Sequence, residues 1–341
     1  MRSTWLCLFA VGCAIDTGDV TTDPGEGSGS GSGSGEETVE AIPDVQCPGT
    51  PATGVAGDWI HWSSSVISAG APKHRGYDLI ARSTAATQTI EGSISYSIAD
   101  KALEDEDVEL FACRQNTWEN IGTARTDDEG YFALALAGGQ RLPVGMRDLY
   151  VSVVGDRTGT RFLAFVAPEG RTLVVSDVDG TLTESENAFA EAQVFGGEAD
   201  IGHQPGAPEA YTSVTTKGHT MVYLTARGSQ YMDATRTWLA AQGFPRGPLR
   251  LSRSFLTLPG DATIGFKTTA LEALSATFEI AAGVGNRHSD VTAYSNADLP
   301  SQRIFIKRTE YPDELAVDFD TQKAIGFGTY DELRTAQITK L

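Results

Sequence analysis

Between residues 90 and 167 apolar and polar positions alternate with a period of two. Ile94, Tyr96 and Ile98 share one parity, as do Val108, Leu110 and Ala112, and then Phe132, Leu134 and Leu136. Runs at 150–154 and 161–166 behave alike, and turn-forming clusters at 99–101, 126–130, 137–139 and 155–156 separate them. Successive side chains of an extended chain point to opposite faces, so each run predicts a half-buried strand. Short strands at this spacing predict an N-terminal antiparallel β-sandwich of the immunoglobulin-like kind. Residues 126–132 resemble a turn of immunoglobulin-like and carboxypeptidase-regulatory-like domains.

After Pro168 the pattern changes. Apolar runs at 172–176, 220–224, 249–251, 280–284 and 303–306 read as buried strands. Helical periodicity lies between them. Tyr231, Ala234, Trp238 and Ala241 stand at i, i+3, i+7 and i+10, and Gly243 and Pro245 stop that helix. Further helices are expected near 267–278 and 289–296. Strand–helix alternation predicts an α/β class with a parallel sheet covered on both faces. Residues 184–218 read as a short insert rich in Gly, Pro and Ala. Residues 47–90 hold the apolar anchors Trp59, Ile60 and Trp62 without a period, and default to an edge strand and connecting loops.

The expected organisation is a leader over 1–13, a flexible linker over 14–46, the sandwich over 47–168, a catalytic α/β domain over 169–310 and an acidic tail over 311–341. One helix near 330–337 is the exception within that tail. Met1-Arg2 and an apolar run from Trp5 to Val11 are too short to span a membrane. The string AVGC at 10–13 resembles a bacterial lipobox, in which Cys13 takes the lipid. An ordinary signal peptide with an incidental Cys is the alternative, and either way export is expected. The repeat GSGSGSGSG at 27–35 buries nothing and serves as a tether. The expected location is exported and membrane-anchored, on the periplasmic or cell-surface side. Of the 4 cysteines, Cys47 and Cys113 remain as an even pair in an oxidising compartment, so a disulfide is expected, with two separate thiols as the alternative.

Charge narrows the partners. A net charge of −19 over 341 residues disfavours nucleic acid and loose adhesion to an anionic bilayer. The acidic run at 104–107 lacks an EF-hand pattern and reads as a solvated loop rather than a calcium site.

The chemistry centres on LVVS at 173–176 running into DVDGTLT at 177–183. Asp177 and Asp179 share a face at a strand end, beside a turn that exposes backbone N–H groups. That is the composition of a hard-cation and phosphate site. Downstream, TMVYLTAR at 220–227, Lys267 at a helix start, and GVGNRHSD at 283–290 also sit at or just after strand ends, where doubly wound folds place their sites. Singly, each has a plain structural reading: Thr225 a turn residue, Lys267 a solvated lysine, Asn286 a turn former, and Asp290 a helix-capping carboxylate.

In this order the four segments resemble motifs I to IV of the haloacid-dehalogenase (HAD) superfamily. The run GPLRLS at 247–252, Phe266-Lys267 and GNRHSDVTAY at 285–294 are similar to lipin phosphatidate phosphatases and to the C-terminal domain of membrane-associated phosphatidylinositol transfer proteins. The resemblance covers roughly residues 170–310. It implies a HAD-type Rossmann-like parallel sheet with a small cap insert. It also implies a magnesium-dependent phosphomonoesterase with Asp177 as nucleophile, Asp179 as acid/base, and Thr225 and Lys267 on the phosphoryl group. Asp177, Asp179, Asn286 and Asp290 would hold the metal; many HAD enzymes carry Asp where Asn286 stands, and lipins carry Asn. The short insert suits a bulky phosphomonoester, phosphatidate-like by resemblance. A non-catalytic phospholipid-binding module would erode motif I, a polynucleotide 3′-phosphatase would need a basic groove, and in an adhesion protein the sandwich would do the work.

Overall fold

The run Leu173–Ser176 is buried on both faces and becomes the centre of a parallel sheet, as a continuous apolar strand should. The computed structural model describes residues 41–186, 188, 201–254, 257–258 and 260–341. The leader, Cys13 and residues 14–40 of the expected linker lie outside them.

The first half is built from strands. They are Asp44–Val45 (β1), Arg75–Tyr77 (β2), Leu79–Arg82 (β3), Thr87–Ser93 (β4), Ser95–Tyr96 (β5), Lys101–Ala102 (β6), Asp107–Arg114 (β7), Thr117–Arg125 (β8), Tyr131–Ala137 (β9), Gly145–Val153 (β10) and Gly159–Ala167 (β11). One sheet runs β3-β11-β10-β7-β8, with β1 added beside β10; the facing sheet runs β2-β4-β9. Pairing is antiparallel except at β1–β10 and β3–β11. Ile90, Leu110, Phe132, Leu149 and Phe162 fill the space between. Two expectations change here. Ile98 does not continue the parity of Ile94 and Tyr96, because Ser97 turns the chain at φ 67° and leaves Ile98 exposed. Residues 47–90 hold a short helix, Trp62–Ile67 (α1), besides β2, β3 and part of β4. The acidic run is not wholly the solvated loop expected: Glu106 is buried and accepts the N–H groups of Ile60 and His61, while Asp105 and Asp107 pair with Arg125.

The second half is a doubly wound sheet. Its strands are Leu173–Ser176 (β12), Thr220–Thr225 (β13), Leu249–Leu251 (β14), Ile280–Gly285 (β15), Ile304–Lys307 (β16) and Ile325–Phe327 (β17). The spatial order is β14-β13-β12-β15-β16-β17, every pair parallel. The strand order therefore reverses between β12 and β15, and the crevice outside their carboxyl ends is the expected ligand position. Helices Ala207–Thr216 (α2), Met232–Ala241 (α3), Asp261–Ser275 (α4), His288–Asn296 (α5), Pro312–Asp320 (α6) and Tyr330–Ala336 (α7) cover the sheet.

Two stretches differ from expectation. Residues 207–216 of the supposed insert are the crossover helix α2, whose Ala207, Ala210, Tyr211 and Val214 are buried at helical spacing. Pro208 suits its first turn. The supposed tail after Glu310 is no tail: it supplies α6, edge strand β17 and α7, and buries Tyr330, Leu333 and Ile338 in the core. Widely spaced apolar residues in an acidic segment hide that role.

The described residues form one compact unit, and the two halves share a core. Met146, Leu163 and Phe165 of the sandwich pack with Leu173, Leu274 and Phe278, the last stacking on Phe165 at 6.5 Å. Asp78, just before β3, is buried and accepts from Leu163 N at 2.7 Å, Leu249 N at 2.8 Å and Arg236 Nη2 at 2.9 Å. Its peptide carbonyl takes Arg250. Cys47 and Cys113 are joined as a disulfide with their Cα atoms 5.7 Å apart.

Candidate active site

The site sits at the carboxyl ends of β12, β13 and β15. β12 delivers Asp177 as its first residue beyond the ladder, and the Asp177 N–H still bonds Val284 of β15 at 2.9 Å. Gly180 then turns the chain at φ 67°. An added Cβ there would stand 2.2 Å from the Asn286 amide, so glycine is required by space as well as by conformation. The turn closes through Thr183, whose hydroxyl accepts Gly180 N–H at 2.9 Å.

Lys267 reaches in from α4. Its ammonium donates to Asp177 Oδ1 and to Asp290 Oδ1, each at 2.6 Å. The second oxygen of each carboxylate has its own task. Asp177 Oδ2 takes the Thr181 hydroxyl at 2.9 Å. Asp290 Oδ2 takes the N–H groups of Asn286 at 3.0 Å and Arg287 at 3.1 Å, capping α5. Asp290 is thus both the cap and a member of the charged cluster. Burial would lower the Lys267 pKa, but the two carboxylates outweigh it and raise it, so the ammonium stays charged. Burial pushes the Asp177 carboxyl well above the usual carboxylate range, Lys267 opposes that, and Asp290 adds to it.

Asp179 lies two residues on and is gripped from β13. Arg227 donates through Nε at 2.8 Å and Nη2 at 2.6 Å to Oδ1, and Thr225 donates to Oδ2 at 2.7 Å. Arg227 is anchored in turn by Thr235 at 2.8 Å. Thr225 is fully buried and also accepts the Arg227 N–H at 3.2 Å. In this state its hydroxyl is committed to Asp179 rather than aimed outward for a phosphoryl oxygen. Lys267 is likewise committed to its two carboxylates.

Asn286 joins the two sides. Its Oδ1 accepts from Thr181 at 3.0 Å, and its amide donates to Glu186 at 3.2 Å and Glu310 at 3.3 Å. Burial, with repulsion from Asp179 and Asp290 and against the Asn286 hydrogen bond, pushes the Glu186 carboxyl up to about 7. Among the described residues no three His, Cys, Asp or Glu side chains form a ready-made metal cage.

The structure therefore brings together Asp177, Asp179, Thr225, Lys267, Asn286 and Asp290 from four separate segments. It adds Arg227, Thr181, Glu186 and Glu310. Arg227 stands in the TMVYLTAR motif, and an Arg two residues past a strand-end hydroxyl was the available signal. No signal marked Glu186 or Glu310, which in sequence look like solvated acids.

A parallel sheet with this reversed strand order, carrying a carboxylate pair on its first strand, is a HAD-type phosphatase fold. The chain belongs to the LNS2 (Lipin/Ned1/Smp2) family, whose model matches residues 146–329. Residues 72–166 match the β-sandwich domain of the PITM 1-3 proteins. The chain is 25% identical over 237 residues to human membrane-associated phosphatidylinositol transfer protein 3, covering 68% of this chain and 23% of that protein. It is 29% identical over 195 residues to phosphatidic acid phosphohydrolase 1 of Saccharomyces cerevisiae, covering 50% and 22%. The chain thus spans less than a quarter of the length of either relative. Among solved structures it is similar to D,D-heptose 1.7-bisphosphate phosphatase from B. bronchiseptica, crystallised with magnesium and phosphate. There the TM-score is 0.38, the identity 16%, and the coverage 50% of this chain and 99% of that one.

Proposed function

We propose that this protein is an exported, magnesium-dependent phosphomonoesterase of phosphatidate-like lipid phosphates. The observation that carries the catalytic part is the buried Asp177 carboxylate, held by Lys267 and Thr181 at the switch point of the sheet. Asp177 attacks phosphorus and displaces the lipid alkoxide, giving an aspartyl-phosphate. Asp179 supplies the proton that the alkoxide takes up, then accepts one from the water that cleaves the acyl phosphate. Arg227 orients that carboxylate through its guanidinium fork, and Thr225 holds its other oxygen.

The donor set fits a hard divalent cation. It is all oxygen, and the carboxylates of Asp177, Asp290, Glu186 and Glu310 gather around Lys267 and Asn286. Asp177, Asp290, Asn286 and the Asp179 carbonyl would hold the ion. When bound, it supplies positive charge to the non-bridging phosphoryl oxygens.

The lipid part rests on the family and on the named activity of the yeast relative. Export and anchoring rest on the lipobox-like AVGC and on the disulfide, which belongs in an oxidising compartment. Tethering through Cys13 would raise the local substrate concentration without new contacts.

The test is turnover of phosphatidate micelles, a sugar phosphate and p-nitrophenyl phosphate, each with magnesium and with a chelator. We expect the highest kcat/KM on phosphatidate and no turnover with chelator. Cys13→Ser should lower activity on membranes and leave p-nitrophenyl phosphate unchanged. A strong preference for the sugar phosphate would sink the lipid reading.

A further inference from the structure

Helix α1 is inside out. Its small polar Ser64 is buried, and Ile67 packs on the sandwich core, while Trp62 and Val66 are 83% and 65% exposed. Those two stand at i and i+4 and so share one outer face. Ile98, 88% exposed, is at the same end of the sandwich: its neighbour Ser97 donates to Ala71 O at 2.7 Å and packs against Gly70, a few residues beyond α1. Residues 62–72, WSSSVISAGAP, contain no ionisable side chain. Three large exposed apolar side chains at one end of the sandwich, bordered by the exposed pairs His61–Asp105 and Lys101–Glu104, make an apolar surface with a polar rim, the pattern of an interaction site.

The contacts of β2 and β11 show which way this tip points. Asp78 meets Leu249 at the start of β14, and Tyr77 lies under Arg253, 4.6 Å from its guanidinium, just past the end of β14. Moving backward from Asp78 along β2 thus runs toward the carboxyl ends of the catalytic sheet. Thr160, near the start of β11, agrees: its hydroxyl reaches Asp233 at the start of α3. Beyond Arg75 the chain passes Lys73, bonded to Ser95, and Ala71, bonded to Ser97, before reaching α1. The tip therefore projects on the side where Asp177 and Asp179 open. The chain enters the unit at the other end, where β1 pairs with Met146 and Asp44 with Arg246, just ahead of β14. A tether attached there does not by itself turn the site toward a membrane.

We propose that Trp62, Val66 and Ile98 insert into the interfacial layer of a phospholipid bilayer and turn the catalytic crevice toward it. This rests on the lipid-phosphate reading for its purpose, though not for its geometry. With a net charge of −19 the chain is unsuited to polybasic adhesion, and an apolar tip with an indole is the binding mode left to it. The other possible cover, a second copy of the chain, is an outcome of the test.

The experiment uses the full chain carrying Cys13→Ser, so that no lipid anchor contributes, and vesicles of phosphatidylcholine. Co-sedimentation is compared with and without Trp62→Ser, Val66→Ser and Ile98→Ser together. The expected result is a partition coefficient lowered roughly tenfold or more, with melting temperature and p-nitrophenyl phosphate turnover unchanged. No partition of the Cys13→Ser chain, or equal partition of both proteins, overturns the proposal. So does a dimer in sedimentation velocity that the triple variant abolishes. Because partition is read without turnover, vesicle binding without lipid hydrolysis would sink the functional reading alone. Phosphatidate hydrolysis with unchanged partition would sink the docking surface alone.

Discussion

Arg227 holds Asp179 in a fork, with Nε at 2.8 Å and Nη2 at 2.6 Å from the same carboxylate oxygen. The carboxylate expected to serve the leaving group is therefore positioned by a residue two places beyond β13, not by its own loop. Lysine keeps the charge but not the planar fork. We expect Arg227→Lys to lower kcat by roughly 10- to 100-fold on an alkyl phosphate. The loss should be much smaller on p-nitrophenyl phosphate, whose leaving group needs little protonation. KM should change little. Equal losses on both substrates would mean that Arg227 acts elsewhere than through Asp179.

Asp177→Asn should abolish turnover and leave the fold intact. The amide still accepts from Thr181, and it removes a buried charge that the site disfavours. Retained wild-type turnover would exclude the covalent route.

Lys267→Met should be the more damaging change to stability. It leaves Asp177 and Asp290 facing each other without their shared ammonium. Removing one partner of a buried ion pair costs about 3–5 kcal/mol. Adding Asp177→Asn to Lys267→Met should recover part of that loss, since one of the two stranded charges is then gone. Denaturant midpoints of the two single variants and the double variant read this coupling; strict additivity would show that Lys267 and Asp177 are not coupled.

Asp177, Asp179, Asn286 and Asp290 were legible in sequence because they follow strand ends, whereas Lys267 lies within α4 rather than at a helix start and was legible only through the order of the motifs. Their roles toward one another were not legible. Thr225 and Arg227 turn inward to Asp179 because of how β12 and β13 pair, and a motif does not state which way its hydroxyl points. The join between the two halves was also hidden. All of β10, from Gly145 to Val153, is buried: one face fills the sandwich core, and on the other Met146 packs with the catalytic half, Asp148 takes Arg246 and the Cys47 N–H, and Tyr150 meets Trp118. Arg147, Asp148 and Ser152 make that strand look half-wet in sequence, so the sequence carried no sign that Pro168 is not a boundary between independent bodies. The family model begins at residue 146, inside the sandwich, in agreement with that shared core.

That shared core carries its own test. Asp78 is fully desolvated and serves backbone donors on both halves. Asp78→Ala should cost about 3–5 kcal/mol, because Arg236 and two buried N–H groups lose their acceptor. A chain beginning at Pro168 would also lose Met146, Leu163 and Phe165 from the core around Phe278, and should not yield a folded catalytic half. A soluble truncated domain with a cooperative melt would show that the halves are separable after all.

The last prediction concerns acid. His74 is buried in the sandwich, edge-on to Tyr96 with ring centroids 4.9 Å apart, and its Nε2 lies 2.7 Å from the Thr158 hydroxyl. Burial lowers its pKa to about 4; Asp156 pulls the other way, and Arg75 adds to the fall. An unfolded chain binds the same proton near the ordinary value of 6.5. Between these values the unfolded state holds a proton that the folded state refuses. Stability is therefore unaffected by His74 above pH 6.5, and falls as the pH drops through this window toward 4. The full loss is about 3 kcal/mol. His74→Gln keeps a hydrogen-bonding group beside Thr158 and cannot take the charge. Urea midpoints at pH 7.5 and 4.5 should show the wild-type protein losing about 2 kcal/mol more than the variant between the two conditions. Carboxylates elsewhere titrate in both proteins and cancel in that difference. Parallel losses would mean that His74 accepts its proton without opening the sandwich.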